Sequence, residues 1–406
     1  MASVTFPGQL GAVSAPASVP RISRFRSSRR LRRGAAASAP AAQLNALTSL
    51  RFFAALVVVL FHLRVMHILS GGPWWYQNFA SIGYVGVNCF FVLSGFILVY
   101  TYGGSTVDAR RFWGARFARI YPAYFLSLLI TAPSFFYAVG QLDIPYLAWS
   151  KQHVVTACTL TLSLLQAWVP QGALTWNAVC WSLSVEAFFY LLFPGLLPWT
   201  RRLAPRGLAL GIVGCSLLSL TLPLLYVFLH PDGIDEVNSL ETTLPWKNVL
   251  SFNPVVRLPE FVTGMLAGQL FLSGGRNRKF ALPLVVIGIG VLVILTGLVG
   301  KIPNPLICAG ILSPAFAAII YGLALLPAGS NSFLGWRWLV LLGEASYSLY
   351  LLHSFVISRV ADATASLPGW VQVAACLAGA MAASLICFRL VEQPARSMLR
   401  PVRRAD

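Results

Sequence analysis

The sequence predicts an all-α, polytopic membrane protein of about ten transmembrane helices, with one further apolar segment near 154–170 that is re-entrant or interfacial. Three observations lead there. Of 406 residues, 57% are hydrophobic and only 10% charged, with a mean hydropathy of +0.73. A soluble domain carries roughly a quarter charged residues, so a soluble globular protein is excluded. The apolar residues also gather into runs near the ~20 residues that a bilayer span needs. Finally, the 30 Lys and Arg, set against 12 Asp and Glu for a net charge of +18, sit mostly between those runs.

The first 46 residues are rich in Ala, Ser, Pro and Arg and contain no acid, which reads as a disordered basic cytosolic tail. An acid-free start rich in Arg and Ser also has the composition of an organelle transit peptide. Spans follow at 47–66, 80–102, 120–139, 178–198, 207–229, 254–272, 282–300, 306–326, 339–360 and 367–388, and 389–406 reads as a basic cytosolic C-terminal tail. The first run is long enough to act as a signal anchor.

The stretch 154–170 decides the topology. If it crosses, Arg201, Arg202 and Arg206 land outside and the acidic segment 232–241 lands inside, against the positive-inside tendency. If it does not cross, 24 cations fall on the cytosolic side and six outside: Arg64, Lys151, Lys247, Arg257, Lys301 and Arg359. That second topology has ten spans and both termini in the cytosol. It also accounts for the basic charge without nucleic acid, so no nucleic-acid partner is expected.

Several chemistries lack their usual signals. The seven cysteines lie in or beside apolar runs without a CxxC pair and suit small buried hydrophobes. Five histidines contain no HExxH pair, so no metal site is expected. There is no Walker-type or GxGxxG loop, and no internal repeat.

Ionisable and polar residues inside the spans carry the functional signal, because each is costly at membrane depth. In the first span Arg51 and His62 are 11 residues apart, about 20° past three helical turns, and share a face about 16 Å apart along the axis. They suit either a catalytic pair or a snorkelling cation and a structural imidazole. Ser182 and Glu186 are spaced i, i+4 in the fourth span. Glu186 serves there to bond a neighbouring helix or to orient a base or substrate. Ser346, Tyr350 and His353 make a polar stripe at i, i+4, i+7 in the ninth span, which also suits interhelical bonding. Arg257 and Glu260, at i, i+3, suggest an ion pair, and Gly264 and Gly268 form a GxxxG contact face. Before the third span Arg116 and Arg119 lie i, i+3 on one face. Planar guanidiniums suit phosphate, although an inside loop is basic on topology alone.

In this order and spacing the residues resemble the integral-membrane acyltransferase-3 family of O-acyltransferases, from about Leu44 to Met398. Arg51 and His62 match its Arg-x10-His signature, and Gly83-Tyr84-Val85-Gly86-Val87 with Phe90 to Phe96 match its glycine-rich second span. Arg116-x-x-Arg119 with Tyr121-Pro122 match its basic loop. Trp181-Ser182-Leu183 with Glu186, Arg257 with Glu260, Ser346-Tyr347 with Tyr350 and His353, and Glu392-Gln393-Pro394 match later motifs. Asn88 departs from the pattern, since many members carry an acid there. Many relatives also carry a fused hydrolase-like domain, which is not expected here.

The resemblance implies that 47–388 is a membrane acyltransferase domain in a bacterial-type cytoplasmic (inner) membrane. It implies no bound cofactor and a cytosolic acyl-CoA donor, often acetyl-CoA. The acceptor would be a hydroxyl of a carbohydrate or related compound in envelope polysaccharide, glycolipid or secondary metabolite. His62 would be the general base, its unperturbed pKa of about 6.5 suiting neutral pH. Glu186 would orient His62 or the acceptor. Arg116 and Arg119 would hold the CoA phosphates, with Arg51 beside them or at the thioester. Asn88, Ser182, Tyr350 and His353 are the candidates for substrate contact or oxyanion stabilisation. The rival reading is a secondary transporter with a buried Glu, His and Arg relay, against which stands the absence of duplicated halves.

Overall fold

The computed structural model describes residues 44–69, 71–233, 243–274, 277–326 and 333–398. The expected N-terminal tail lies outside the described residues up to residue 43, as do residues 399–406 of the C-terminal one and most of the acidic segment 232–241. Among the described residues there is no strand. Nine of the described helices are long and apolar enough to cross a bilayer, and a bent helix pair completes a tenth crossing if counted as one.

In chain order the elements that position the site are α1 (Asn45–Val65), α2 (Gly86–Tyr102), α3 (Ala109–Gln141), α4 (Val154–Leu162), α5 (Trp181–Arg202), α6 (Pro205–Leu229), α7 (Pro254–Leu272), α8 (Ala281–Gly297), α9 (Ser313–Leu325), α10 (Arg337–Glu344), α11 (Ser346–Ala363) and α12 (Gly369–Cys387). In α6 and α8 apolar side chains face outward: Leu210 is 72% exposed and Phe228 81%. In water such faces would be a liability; against lipid they are matched. Pro122 and Pro133 sit inside α3, and Pro194 and Pro198 inside α5. Membrane helices tolerate them because neighbouring groups re-satisfy the freed carbonyls.

The expected re-entrant or interfacial stretch near 154–170 does not cross. α4 has nine residues, about 14 Å at 1.5 Å per residue against a ~30 Å hydrocarbon core. Short 3₁₀ turns follow at Gln166–Trp168 and Pro170–Gly172. Tyr124 donates to the Thr161 carbonyl at 2.6 Å and Tyr121 to that of Leu162 at 3.1 Å, strapping α4 to α3.

Close backbone approach sets the centre. A Cβ on Gly264 would lie 1.9 Å from the Val92 carbonyl oxygen, and one on Gly95 would lie 2.1 Å from that of Phe261. The GxxxG face of α7 therefore packs backbone to backbone on α2. Beside it Phe189 stacks on Phe261 at 4.7 Å and meets Phe91 edge-on at 5.2 Å, linking α5, α7 and α2.

The ninth span is broken. α10 and α11 meet at a 67° bend around Ala345, where a Cβ on Gly343 would lie 1.9 Å from the Thr48 carbonyl of α1. α11 therefore begins inside the protein rather than at its surface. The last helix continues beyond 388 through a π-turn, Phe388–Glu392, to Met398. Glu392 is buried, accepting from Ser348 at 2.7 Å and pairing with Arg396.

Candidate active site

Side chains of α1, α2, α3, α5 and α11 line a cavity of about 100 Å³. Arg51 comes from α1, and Arg116 and Arg119 come from α3, on one face because they lie i, i+3. Ser182, Glu186 and Tyr190 follow one another at single-turn intervals on α5, and Ser346, Tyr347 and Tyr350 start α11. Three guanidiniums against one carboxylate give the cavity wall a positive balance, which attracts anions.

Arg116 and Glu186 each have a defined seat. The Arg116 guanidinium carbon lies 5.5–5.8 Å from the ring centres of Phe112, Tyr102 and Tyr190, a cation–π arrangement, and Arg116 donates to the Tyr102 hydroxyl at 3.2 Å. Glu186 accepts from Ser94 at 3.3 Å and from the Tyr190 hydroxyl. Its partners are thus two hydroxyls and not His62.

The hydroxyls differ in what they have left to give. Ser182 donates to Tyr350 at 2.8 Å, and Tyr350 donates to the Val179 carbonyl at 2.8 Å, so both protons are engaged. Ser346 is fully buried, lines the cavity, and its Oγ has no hydrogen-bond partner among the described residues. It is the first residue of α11, where backbone N–H groups also lack helical partners.

His353 lies one turn beyond Tyr350 and is fully buried, with its ring centre 6.0 Å from that of Tyr350. Its Nε2 is 3.2 Å from His62 Nδ1. Neither imidazole lines the arginine cavity. The stripe Ser346–Tyr350–His353 therefore runs from the cavity to the two histidines, and α1 runs beside it from Arg51 to His62.

Asn88 is placed elsewhere. It donates to Glu260 Oε1 at 3.0 Å and to the Cys308 carbonyl at 2.9 Å. Arg257 pairs with the same carboxylate oxygen at 2.9 Å and donates twice to the Ser251 carbonyl. Six residues separate Asn88 from Ser94, about 600° of helix, so the two point about 120° apart. Only Ser94 faces the cavity.

Of the candidates from sequence, Arg51, Arg116, Arg119, Ser182, Glu186 and Tyr350 share one cavity, while His62 and His353 pair outside it, one turn beyond Tyr350, and Asn88 stands apart. Tyr190 is an addition, and Ser346, read from sequence as part of the polar stripe, joins the cavity wall. Tyr190 extends the i, i+4 rule that joins Ser182 to Glu186. No periodicity marks Ser346 as unpartnered. Among the described residues no group of three or more His, Cys, Asp or Glu is placed to hold a metal ion.

A family model described as an acyltransferase domain matches residues 44–389. The chain is 27% identical over 323 residues to "Acyltransferase MdmB" of Streptomyces mycarofaciens, covering 78% of this chain and 79% of that protein. It is 26% identical over 375 residues to "O-acetyltransferase OatA" of Staphylococcus aureus, covering 87% of this chain but 57% of that protein. It is 28% identical over 323 residues to "Exopolysaccharide production protein ExoZ" of Rhizobium meliloti, covering 77% of this chain and 90% of that protein. No solved structure matches.

Proposed function

From the premise that this chain belongs to the acyltransferase-3 family of membrane acyltransferases, we propose that it moves an acyl group, in the first instance acetyl, from a cytosolic acyl-CoA to a hydroxyl of a carbohydrate-type acceptor. The observation that carries the donor assignment is the meeting of Arg51, Arg116 and Arg119 on one small cavity. Guanidinium forks bind phosphate bidentately, and CoA is the acyl donor that brings phosphates. The basic cluster would then open to the cytosol, with the protein in a bacterial-type inner membrane and both termini cytosolic.

The acyl end would lie toward His62. The 11 residues from Arg51 to His62, about 16 Å of helix rise, would be spanned by the pantetheine arm, with Tyr350 standing between the two ends. His62 takes the proton of the acceptor hydroxyl as its oxygen attacks the thioester carbonyl. A tetrahedral oxyanion forms, the C–S bond breaks, and the proton passes from His62 to the leaving thiolate. Oxyanion stabilisation needs positioned donors. Ser346 supplies an unengaged hydroxyl, whereas Ser182 and Tyr350 would have to exchange the bonds they already make. Glu186 acts from the donor cavity, holding the Ser94 and Tyr190 hydroxyls and balancing the arginines. The name of ExoZ, an exopolysaccharide production protein, favours a glycan acceptor, while that of OatA favours acetyl as the group moved to oxygen.

Free-CoA release by membranes given acetyl-CoA and candidate glycans tests the reading. Acceptor-dependent release that is lost in His62→Ala, with the variant still present in the membrane at normal level, is the expected result. A relay transporter releases no CoA, and near-normal release by His62→Ala rejects the general-base role.

A further inference from the structure

We propose that His353 is a positioning residue that fixes the ring tautomer of His62 and so keeps the His62 Nε2 lone pair available for the acceptor proton. The inference rests on the general-base reading of His62.

The two rings meet edge to face, centres 4.7 Å apart, with His353 Nε2 3.2 Å from His62 Nδ1. Between two facing ring nitrogens there is room for one proton, so one donates and the other accepts. The remaining contacts decide which. His353 Nδ1 faces the carbonyl oxygens of Tyr350 at 2.8 Å and Leu349 at 3.2 Å. A carbonyl only accepts, so His353 Nδ1 carries a hydrogen and the neutral ring keeps its lone pair on Nε2.

His62 Nδ1 likewise faces a carbonyl, that of Val58 at 2.9 Å. It therefore carries a hydrogen, shared between Val58 O and His353 Nε2. A proton on His353 Nε2 would force His62 Nδ1 to accept instead, setting its lone pair against the Val58 carbonyl at 2.9 Å. The proton inventory closes in one way: both Nδ1 atoms are protonated and His62 Nε2 is bare.

His353 acts beside Val58 in holding this proton on Nδ1. The Val58 carbonyl is already the i−4 acceptor for the backbone N–H of residue 62, so its bond to the ring is shared. His353 Nε2 makes no other hydrogen bond among the described residues. When His62 Nε2 takes the acceptor proton, the ring becomes an imidazolium and its Nδ1–H bond to His353 becomes charge-assisted, hence stronger. An interaction that strengthens in the transition state raises turnover rather than donor affinity.

The test uses the full chain in inverted membrane vesicles, with acetyl-CoA as probe and free CoA as readout. His353→Phe keeps a ring but removes the acceptor, while His353→Gln returns a carbonyl oxygen. His353→Phe is expected to lower kcat about 10- to 100-fold with KM for acetyl-CoA nearly unchanged, and His353→Gln to recover part of the loss. If His62→Ala retains wild-type turnover, the general-base reading fails and this inference with it. If His62→Ala is inactive but His353→Phe turns over normally, or loses only donor affinity, the positioning role alone is overturned. The tautomer is also read without turnover, by nitrogen NMR of histidine-labelled protein in bilayers, with the His62 signals identified by their loss in His62→Gln. A wild-type His62 protonated on Nδ1 and bare on Nε2 is expected; the opposite tautomer overturns the proposal whatever the activity.

Discussion

Ser182 and Tyr350, 168 residues apart in the chain, are joined by a 2.8 Å hydrogen bond on the wall of the arginine-lined cavity. The bond ties α5 to α11, and the Tyr350 proton continues to the Val179 carbonyl at the start of α5. Tyr350→Phe removes the stronger partner of both, leaving Ser182 and that carbonyl only their mutual 3.3 Å bond, at a cost of about 1–3 kcal/mol. Thermal unfolding in detergent of Ser182→Ala, Tyr350→Phe and the double variant should show a coupling of about 1 kcal/mol. Strictly additive losses would mean that the bond does not hold the wall together.

Ser346 offers the converse case. Its hydroxyl has no partner to lose, so Ser346→Ala should leave the unfolding temperature nearly unchanged. As an oxyanion donor it should still matter, with kcat falling about 10-fold or more. Full turnover in Ser346→Ala removes it from the site.

Arg116 should not tolerate even lysine, which keeps its charge. Arg116 lies among three aromatic rings, where a planar guanidinium and a compact ammonium are not equivalent. Arg116→Lys and Arg119→Gln are each expected to raise KM for acetyl-CoA about 10-fold, with kcat less affected. Loss of kcat at constant KM would place both arginines nearer the chemistry than the phosphates.

The Arg257–Glu260 pair is buried, at 2% and 1% side-chain exposure. Removing one partner strands the other, so Arg257→Met should cost about 3–5 kcal/mol, and adding Glu260→Leu should recover much of it. Unfolding midpoints in detergent decide this. A double variant as unstable as the single one would show that the hydrogen bonds to Asn88 and Ser251, not the charge, set the cost.

Backbone contact between α2 and α7 can be probed by one methyl group. Gly264→Ala places a Cβ on the Val92 carbonyl, whereas a Cβ on Gly290 in α8 would meet nothing within 4 Å. Gly264→Ala should reduce folded yield and activity together, and Gly290→Ala should be neutral or slightly stabilising. Equal behaviour of the two would contradict close packing at the GxxxG face.

Much of this architecture was legible in the sequence because membrane helices obey local rules. Length and hydropathy located the spans, and 154–170 failed as one by interruption of its helix. Spacing put Arg116 with Arg119, Ser182 with Glu186, and Ser346 with Tyr350 and His353, since residues three, four and seven apart share a face. Asn88 shows the limit. It sits six residues before Ser94 in the same motif, yet it faces Arg257 and Glu260 rather than the cavity.

The sequence by itself determined the class of protein, its spans, the faces on which its polar residues stand and, through ordered motifs, its family. Only the tertiary structure decided which faces meet. Periodicity fixes a side chain's direction about its own helix axis but says nothing of the helix opposite. That neighbour is set by backbone contacts at Gly95, Gly264 and Gly343 and by the bend at Ala345. Through them Ser346 enters the cavity with its hydroxyl unengaged, Glu186 turns to Ser94 and Tyr190, and His353 reaches His62 from a helix 291 residues away in the chain.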